Sequence, residues 1–288
     1  VPQLQGLQVD LVDTKYRIDF DATVAHVNNG SFTGTGFAAV PAAGQLDANA
    51  FSIIGFSEGD TGFGDERSGN DFGKGISSGG TSSGGIYAFE VAANDYALGI
   101  QPTGNDFTPG TIHFQFTNNT GVIVTDLSLA YEVYFFNNET RSNDFICSYG
   151  PDTSNLTALS ESRIFSGLES DSVPVWERNL VAIDVTGLSI RAGGNYVISW
   201  TSTDEGGGSS DEIAIDNIQI IANPSTQLIE ASGTLESITL LGNLNLNAAT
   251  DVVGSLNLIS GVLTTNDHLT LKSSAGKTAF VAPVVSGS

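Results

Sequence analysis

Leu7-Gln-Val9-Asp-Leu11 alternates apolar and polar residues strictly, and Tyr16-Arg-Ile18-Asp-Phe20 repeats the pattern a few residues on. A period of two is that of a half-buried β-strand. The same signal returns over residues 86–91, 96–100, 112–116, 122–124, 127–135, 144–149, 180–185, 196–200 and 213–220. Gly, Asn and Asp stand between these runs, and Asn118-Asn-Thr-Gly121 reads as a hairpin turn. No segment carries apolar residues at helical spacing over a normal helix length. Many short strands without intervening helices predict an all-β fold, a sandwich or barrel rather than a parallel α/β sheet.

Pro224 follows the last of these runs and ends it, because proline has no N–H to give a ladder. We therefore expect a β-sandwich over residues 1–223 and a short β-repeat over residues 224–288. In the second region Gly242-Asn-Leu244-Asn-Leu246, Gly254-Ser-Leu256-Asn-Leu258 and Asp267-His-Leu269-Thr-Leu271 recur about every dozen residues. Units that pair Leu-x-Leu with a turn bury their apolar face only by stacking, which predicts a small β-solenoid or stacked hairpins. The final run, residues 278–285, lacks a polar cap, so we expect the polypeptide to continue or this strand to meet a partner. Leu7, Val9 and Leu11 at one end, with Phe280 and Val281 at the other, are the candidates for adding to a neighbouring copy's sheet edge.

Composition narrows the partners. The 288 residues hold 32 acidic and 10 basic side chains, a formal charge of −22. Phosphate backbones and anionic membranes need Lys and Arg clusters, so both are excluded as partners. No apolar run approaches the roughly 20 residues that span a bilayer. Divalent cations suit such a surface. The single cysteine, Cys147, has no intramolecular disulfide partner and is expected to be a small buried hydrophobe.

The densest chemistry lies in Trp200-Thr-Ser-Thr-Asp204-Glu205-Gly-Gly-Gly-Ser-Ser-Asp211-Glu212-Ile-Ala-Ile-Asp216. Asp204, Glu205, Asp211, Glu212 and Asp216 would repel one another unless a hard cation or water screened them. The glycines allow tight turns for carbonyl ligation, and Asp19 and Asp21 on a neighbouring strand could join. We expect structural calcium here, in a geometry that is not an EF-hand. A second candidate is the polar stretch 57–75, where Asp60 and Asp65 are interleaved with Phe63 and Phe72. Exposed rings beside carboxylates are how sugar-binding faces are built, and Trp176 raises the same question. The alternative is that the phenylalanines tuck under their own loop.

Catalysis finds little support. His26, His113 and His268 are scattered, with no Glu-x-x-His or His-x-x-x-His spacing and no nucleophile elbow. Asp65-Glu66 and Asp211-Glu212 are adjacent pairs, and neighbours on a strand point to opposite faces. We expect no enzyme.

Several segments together resemble the jelly-roll modules of large secreted surface proteins of Bacteroidetes-type bacteria. They are Ala97-Leu-Gly99, residues 112–121, Leu127-Ser-Leu-Ala-Tyr131, Tyr196-Val-Ile-Ser-Trp200 and Asp211-Glu-Ile-Ala-Ile-Asp216-Asn-Ile218. Residues 256–283 look like the β-repeat that follows such modules. The resemblance implies a jelly roll, export by the type IX route and location outside the cell or on its surface. Our expectation is thus a non-catalytic adhesive or structural protein, self-assembling through its terminal strands and stabilised by calcium. The other reading is a carbohydrate-binding module of a larger polysaccharide-processing protein, with an extracellular glycan as partner.

Overall fold

A computed structural model describes residues 6–203, 210–225 and 231–284. The chain opens with β1 (Leu7–Val9), β2 (Lys15–Ile18), β3 (Phe37–Ala38), β4 (Leu46–Asp47), β5 (Phe51–Ile54), β6 (Ile76–Ser77) and β7 (Gly85–Ala92). There follow β8 (Asp95–Gln101), β9 (Gly110–Asn118), β10 (Leu127–Phe136), β11 (Asp144–Gly150), β12 (Thr157–Phe165) and β13 (Trp176–Val185). Next come β14 (Asn195–Ser202) and β15 (Glu212–Ala222). The last region holds β16 (Gly233–Leu241), β17 (Leu244–Asn245), β18 (Thr250–Ser260), β19 (Leu263–Thr264), β20 (Leu269–Leu271) and β21 (Phe280–Val281). Among the described residues the only helical element is one 3-10 turn, Asn70–Phe72.

Two sheets face each other as a jelly-roll β-sandwich. The smaller runs β1-β9-β14-β11-β12, with β5 also on β9. The larger runs β20-β18-β16-β13-β10-β15-β8-β7-β6, with β2 on β15 and β21 on β18. Alternation explains the core: Ile112, Phe114 and Phe116 of β9 point inward, as do Val181, Ile183 and Val185 of β13. Phe51 meets Phe114 at 5.3 Å between ring centres, and Tyr131 meets Trp200 edge-on at 5.4 Å. Cys147 is buried in this core, as expected, and burial pushes its thiol up to about 12.

Two expectations are corrected here. β1 pairs in parallel with β9, Leu7 opposite Phe116, and Leu7 and Val9 are buried in the core of their own chain. They belong to the fold's interior and are not poised for a neighbour; only Leu11, 60% exposed, lies outside. The turn at residues 118–121 carries the chain from the smaller sheet to the larger instead of joining paired strands, because β9 and β10 lie in different sheets.

The sheet is continuous across residue 224. β16 pairs in parallel with β13, β18 with β16, and β20 and β21 with β18. Hairpins would pair antiparallel, so these strands are not stacked hairpins. Leu244 lies opposite Leu263 and Thr250 opposite Leu269, nineteen residues on in each case rather than a dozen. Ile238, Leu240, Leu244, Leu246, Val252 and Leu256 join Leu180 and Ala182 in a second core on the outer face of the larger sheet. The apolar face of this parallel extension is thereby turned away from the sandwich. On β21, Phe280 and Val281 are 50% and 47% exposed.

Candidate functional site

The acidic segment divides once its partners are known. Asp204 and Glu205 lie outside the described residues. Asp211 is fully buried and takes hydrogen bonds from the Glu139 N–H at 2.9 Å and the Ser166 hydroxyl at 2.6 Å. Glu212 is equally buried and accepts from the Thr81 N–H at 2.6 Å. Both were expected as cation ligands; in the fold each accepts from a main-chain N–H, and Asp211 also from a hydroxyl, so that both anchor loops. Burial raises Asp211 to about 6 and Glu212 to about 7.

Asp216 differs. It sits at a β-bulge, where Ala130 is opposite Gln219 but Glu132 is opposite Asp216, and Asn217 takes φ 52°. Asn tolerates that left-handed backbone. β2 pairs with β15 through Ile18 and Ile218, which brings residues 19–21 over the bulge. The Phe20 N–H approaches Asp216 Oδ1 at 3.4 Å, while Asp216 Oδ2 is buried with no hydrogen-bond donor. Burial, and then the charges of Asp19, Glu132 and Asp95, hold this carboxyl well above the ordinary range. Asp19 is paired with Arg17 at 3.1 Å, and Asp21 accepts from the Tyr96 N–H at 2.7 Å. Among the described residues no three Asp, Glu, His or Cys side chains converge as a metal cage.

The expected sugar face does not form around Phe72. That ring is 1% exposed and packs against Phe56 at 5.2 Å and Phe37 at 6.4 Å, inside the main core. Phe63 is half-buried. Asp60 and Asp65 accept from the N–H groups of Gly55 and Gly62, at 2.8 and 2.7 Å, and so fold their own loop. Trp176 lies between Phe89 (4.8 Å) and Phe136 (5.3 Å), and its Nε1 donates to Ser78 O at 2.9 Å. Both the ring and its polar tip are thus engaged within the fold. The histidines stay apart as well; His113 bonds Ser199 at 2.7 Å, and burial lowers it to about 4.

Sequence reasoning missed a cleft of about 420 Å³ between β12, the edge of the smaller sheet, and the sandwich-side face of β13, β16 and β18. Among the described residues the smaller sheet ends at β12, so no strand of it covers this face of the larger sheet farther out, and the composition changes accordingly. Asn179, on the same face as the core residue Val181, is opposite Ser237, which is opposite Ser255; Val181 is opposite Thr239, which is opposite Asn257. Asn257 Nδ2 donates to Thr239 Oγ1 and Ser255 Oγ, both at 3.2 Å. One wall carries Phe165, 57% exposed, with the Arg163 guanidinium 5.6 Å from its ring centre. On the other side Lys277 bridges Glu177 at 2.8 Å and Glu236 at 2.6 Å. The available signal was the break in alternation, polar Asn179, Ser237 and Thr239 standing where core-facing residues were due.

No family model matches the chain, and no curated protein matches it. Solved structures do. One is a non-crystalline cellulose specific carbohydrate-binding module (10% identity, 70% of this chain and 100% of that one, TM-score 0.36). Another is the C-terminal family 22 carbohydrate binding module of Clostridium thermocellum Xyn10B (9% identity, 73% and 94%, TM-score 0.33). A third is the K1 cleaved adhesin domain of Lys-gingipain from Porphyromonas gingivalis W83 (15% identity, 46% and 78%, TM-score 0.29).

Proposed function

We propose that the protein is a non-catalytic extracellular module that adheres by binding carbohydrate, its sandwich stiffened by calcium at the β15 bulge. The cleft between β12 and the parallel extension carries the reading. Amides and hydroxyls line its floor and an exposed ring stands on its wall, the combination that matches the hydroxyls and the C–H face of a sugar. The non-catalytic part is supported by Asp211 and Glu212 being committed to loop anchoring and by His113 being held neutral in the interior. For calcium, the support is the buried, donorless Asp216 Oδ2 in the negative field of Asp19, Glu132 and Asp95. Main-chain carbonyls and water would complete the shell. No helix among the described residues is long and apolar enough to cross a membrane. Export by the type IX route belongs to the same reading.

A second reading, assembly with copies of itself, keeps one supporting observation, the exposed Phe280 and Val281 on β21. A glycan array with and without EDTA, run beside electron microscopy of the same sample, separates the two. Glycan binding without filaments supports the first; filaments without glycan binding support the second.

A further inference from the structure

We propose that the cleft takes a neutral, linear oligosaccharide laid along β12, with the parallel C-terminal extension supplying half of the binding surface. The inference rests on the glycan-binding reading and narrows it to a site and a ligand class. The extension is then part of the recognition surface rather than a stalk.

A buried acceptor points to a ligand. Asn137, which lines the cleft, is 4% exposed; its Nδ2 donates to Glu169 O at 3.0 Å, but its Oδ1 is buried without a donor. Leaving such an oxygen unpaired is costly, and a turn of the Asn137 amide into the cleft would let a sugar hydroxyl pair it. On the floor, Asn257 spends its N–H groups on Thr239 and Ser255, so its own oxygen can accept and their hydroxyls can donate. Neighbouring hydroxyls of a pyranose offer both functions in turn. Phe165 adds the apolar platform that the C–H face of such a ring needs.

Charge decides the class. Lys277 is neutralised between Glu177 and Glu236, and Arg163 is held by Asp144 at 2.5 Å. No uncompensated cation is offered to a carboxylated or sulfated sugar, and the formal charge of −22 repels polyanions. The length follows from continuity. Arg163, Thr239 and Asn257 also border a second hollow of about 260 Å³ that reaches Ala282 and Pro283, so the groove exceeds one sugar.

Calorimetric titration of the full chain with cello-, manno- and xylohexaose, and with hexagalacturonic acid, tests the proposal. At least one neutral hexaose should bind; Phe165→Ala should weaken it about 10-fold and Asn257→Ala about 3-fold, with Phe63→Ala within about 2-fold. Phe165 and Phe63 lie outside the main core, and circular dichroism checks the fold of each variant. Binding that survives both Phe165→Ala and Asn257→Ala overturns the cleft while the glycan reading stands. Preference for hexagalacturonic acid overturns the neutral class. Failure of all four sugars to bind overturns both the cleft and the reading beneath it.

Discussion

The Ser166 hydroxyl donates to Asp211 Oδ2 across 2.6 Å, tying a loop that lines the cleft to the entry of β15. Asp211 also receives the Glu139 N–H, so one buried carboxyl organises two segments that precede it by 45 and 72 residues. Asp211→Ala would orphan these donors and should cost about 2–4 kcal/mol in urea unfolding, since each buried unpaired group costs roughly 1–3 kcal/mol. Asp211→Asn keeps one acceptor and should cost less. An alanine variant as stable as the parent would refute the anchoring role.

Stability should depend on pH through the same segment. Burial raises Asp211 to about 6 and Glu212 to about 7, against an ordinary carboxylate range near 4 in the unfolded chain. The folded state binds these protons more tightly, so their contribution is fully present below about pH 4 and is lost as pH rises through about 6 and 7. The melting temperature of chelator-treated protein should therefore fall by a few degrees between about pH 5 and pH 8. Glu212→Gln should flatten the slope, and a rise over that window would contradict the assignment.

Phe72 and Phe63 should separate cleanly. Phe72→Ala empties a buried ring position and should cost about 3–5 kcal/mol. Phe63, half-buried on the same loop, should cost far less. Equal losses in denaturant titrations would mean that Phe72 is not the core residue its 1% exposure indicates.

Calcium has a signed prediction at Asp216. Without metal, Asp216→Asn should be at least as stable as the parent, because it removes a carboxyl whose ionisation is opposed by burial and by the charges of Asp19, Glu132 and Asp95. With calcium at about 100 times its Kd, the parent should gain about 2.7 kcal/mol and the variant should not. Equal melting temperatures with and without calcium in the parent would remove the cation from the account.

The strands were legible because alternation is local: residues 112–116 and 213–220 read as half-buried runs and became β9 and β15. The roles of the carboxylates were not, because their partners are distant. Glu212 meets Thr81 131 residues away, and nothing near Glu212 distinguishes a loop anchor from a metal ligand. The burial of Phe72 depends likewise on Phe37 and Phe56, and the partner of β1 is a strand more than 100 residues on. Leu-x-Leu units suggested stacking, but the nineteen-residue period emerged only from register, since Leu244 lies opposite Leu263 with all of β18 between them in the chain. The cleft depends on where the smaller sheet stops, a property of two sheets together that no single run encodes.

The most direct measurement of the central claim is a crystal structure of the full chain with a bound neutral hexaose. The account predicts a pyranose ring against Phe165 and a sugar hydroxyl within about 3.2 Å of Asn137 Oδ1, with further contacts to Asn257 on the parallel extension. A sugar chain bound elsewhere, with this cleft holding only solvent, would contradict it.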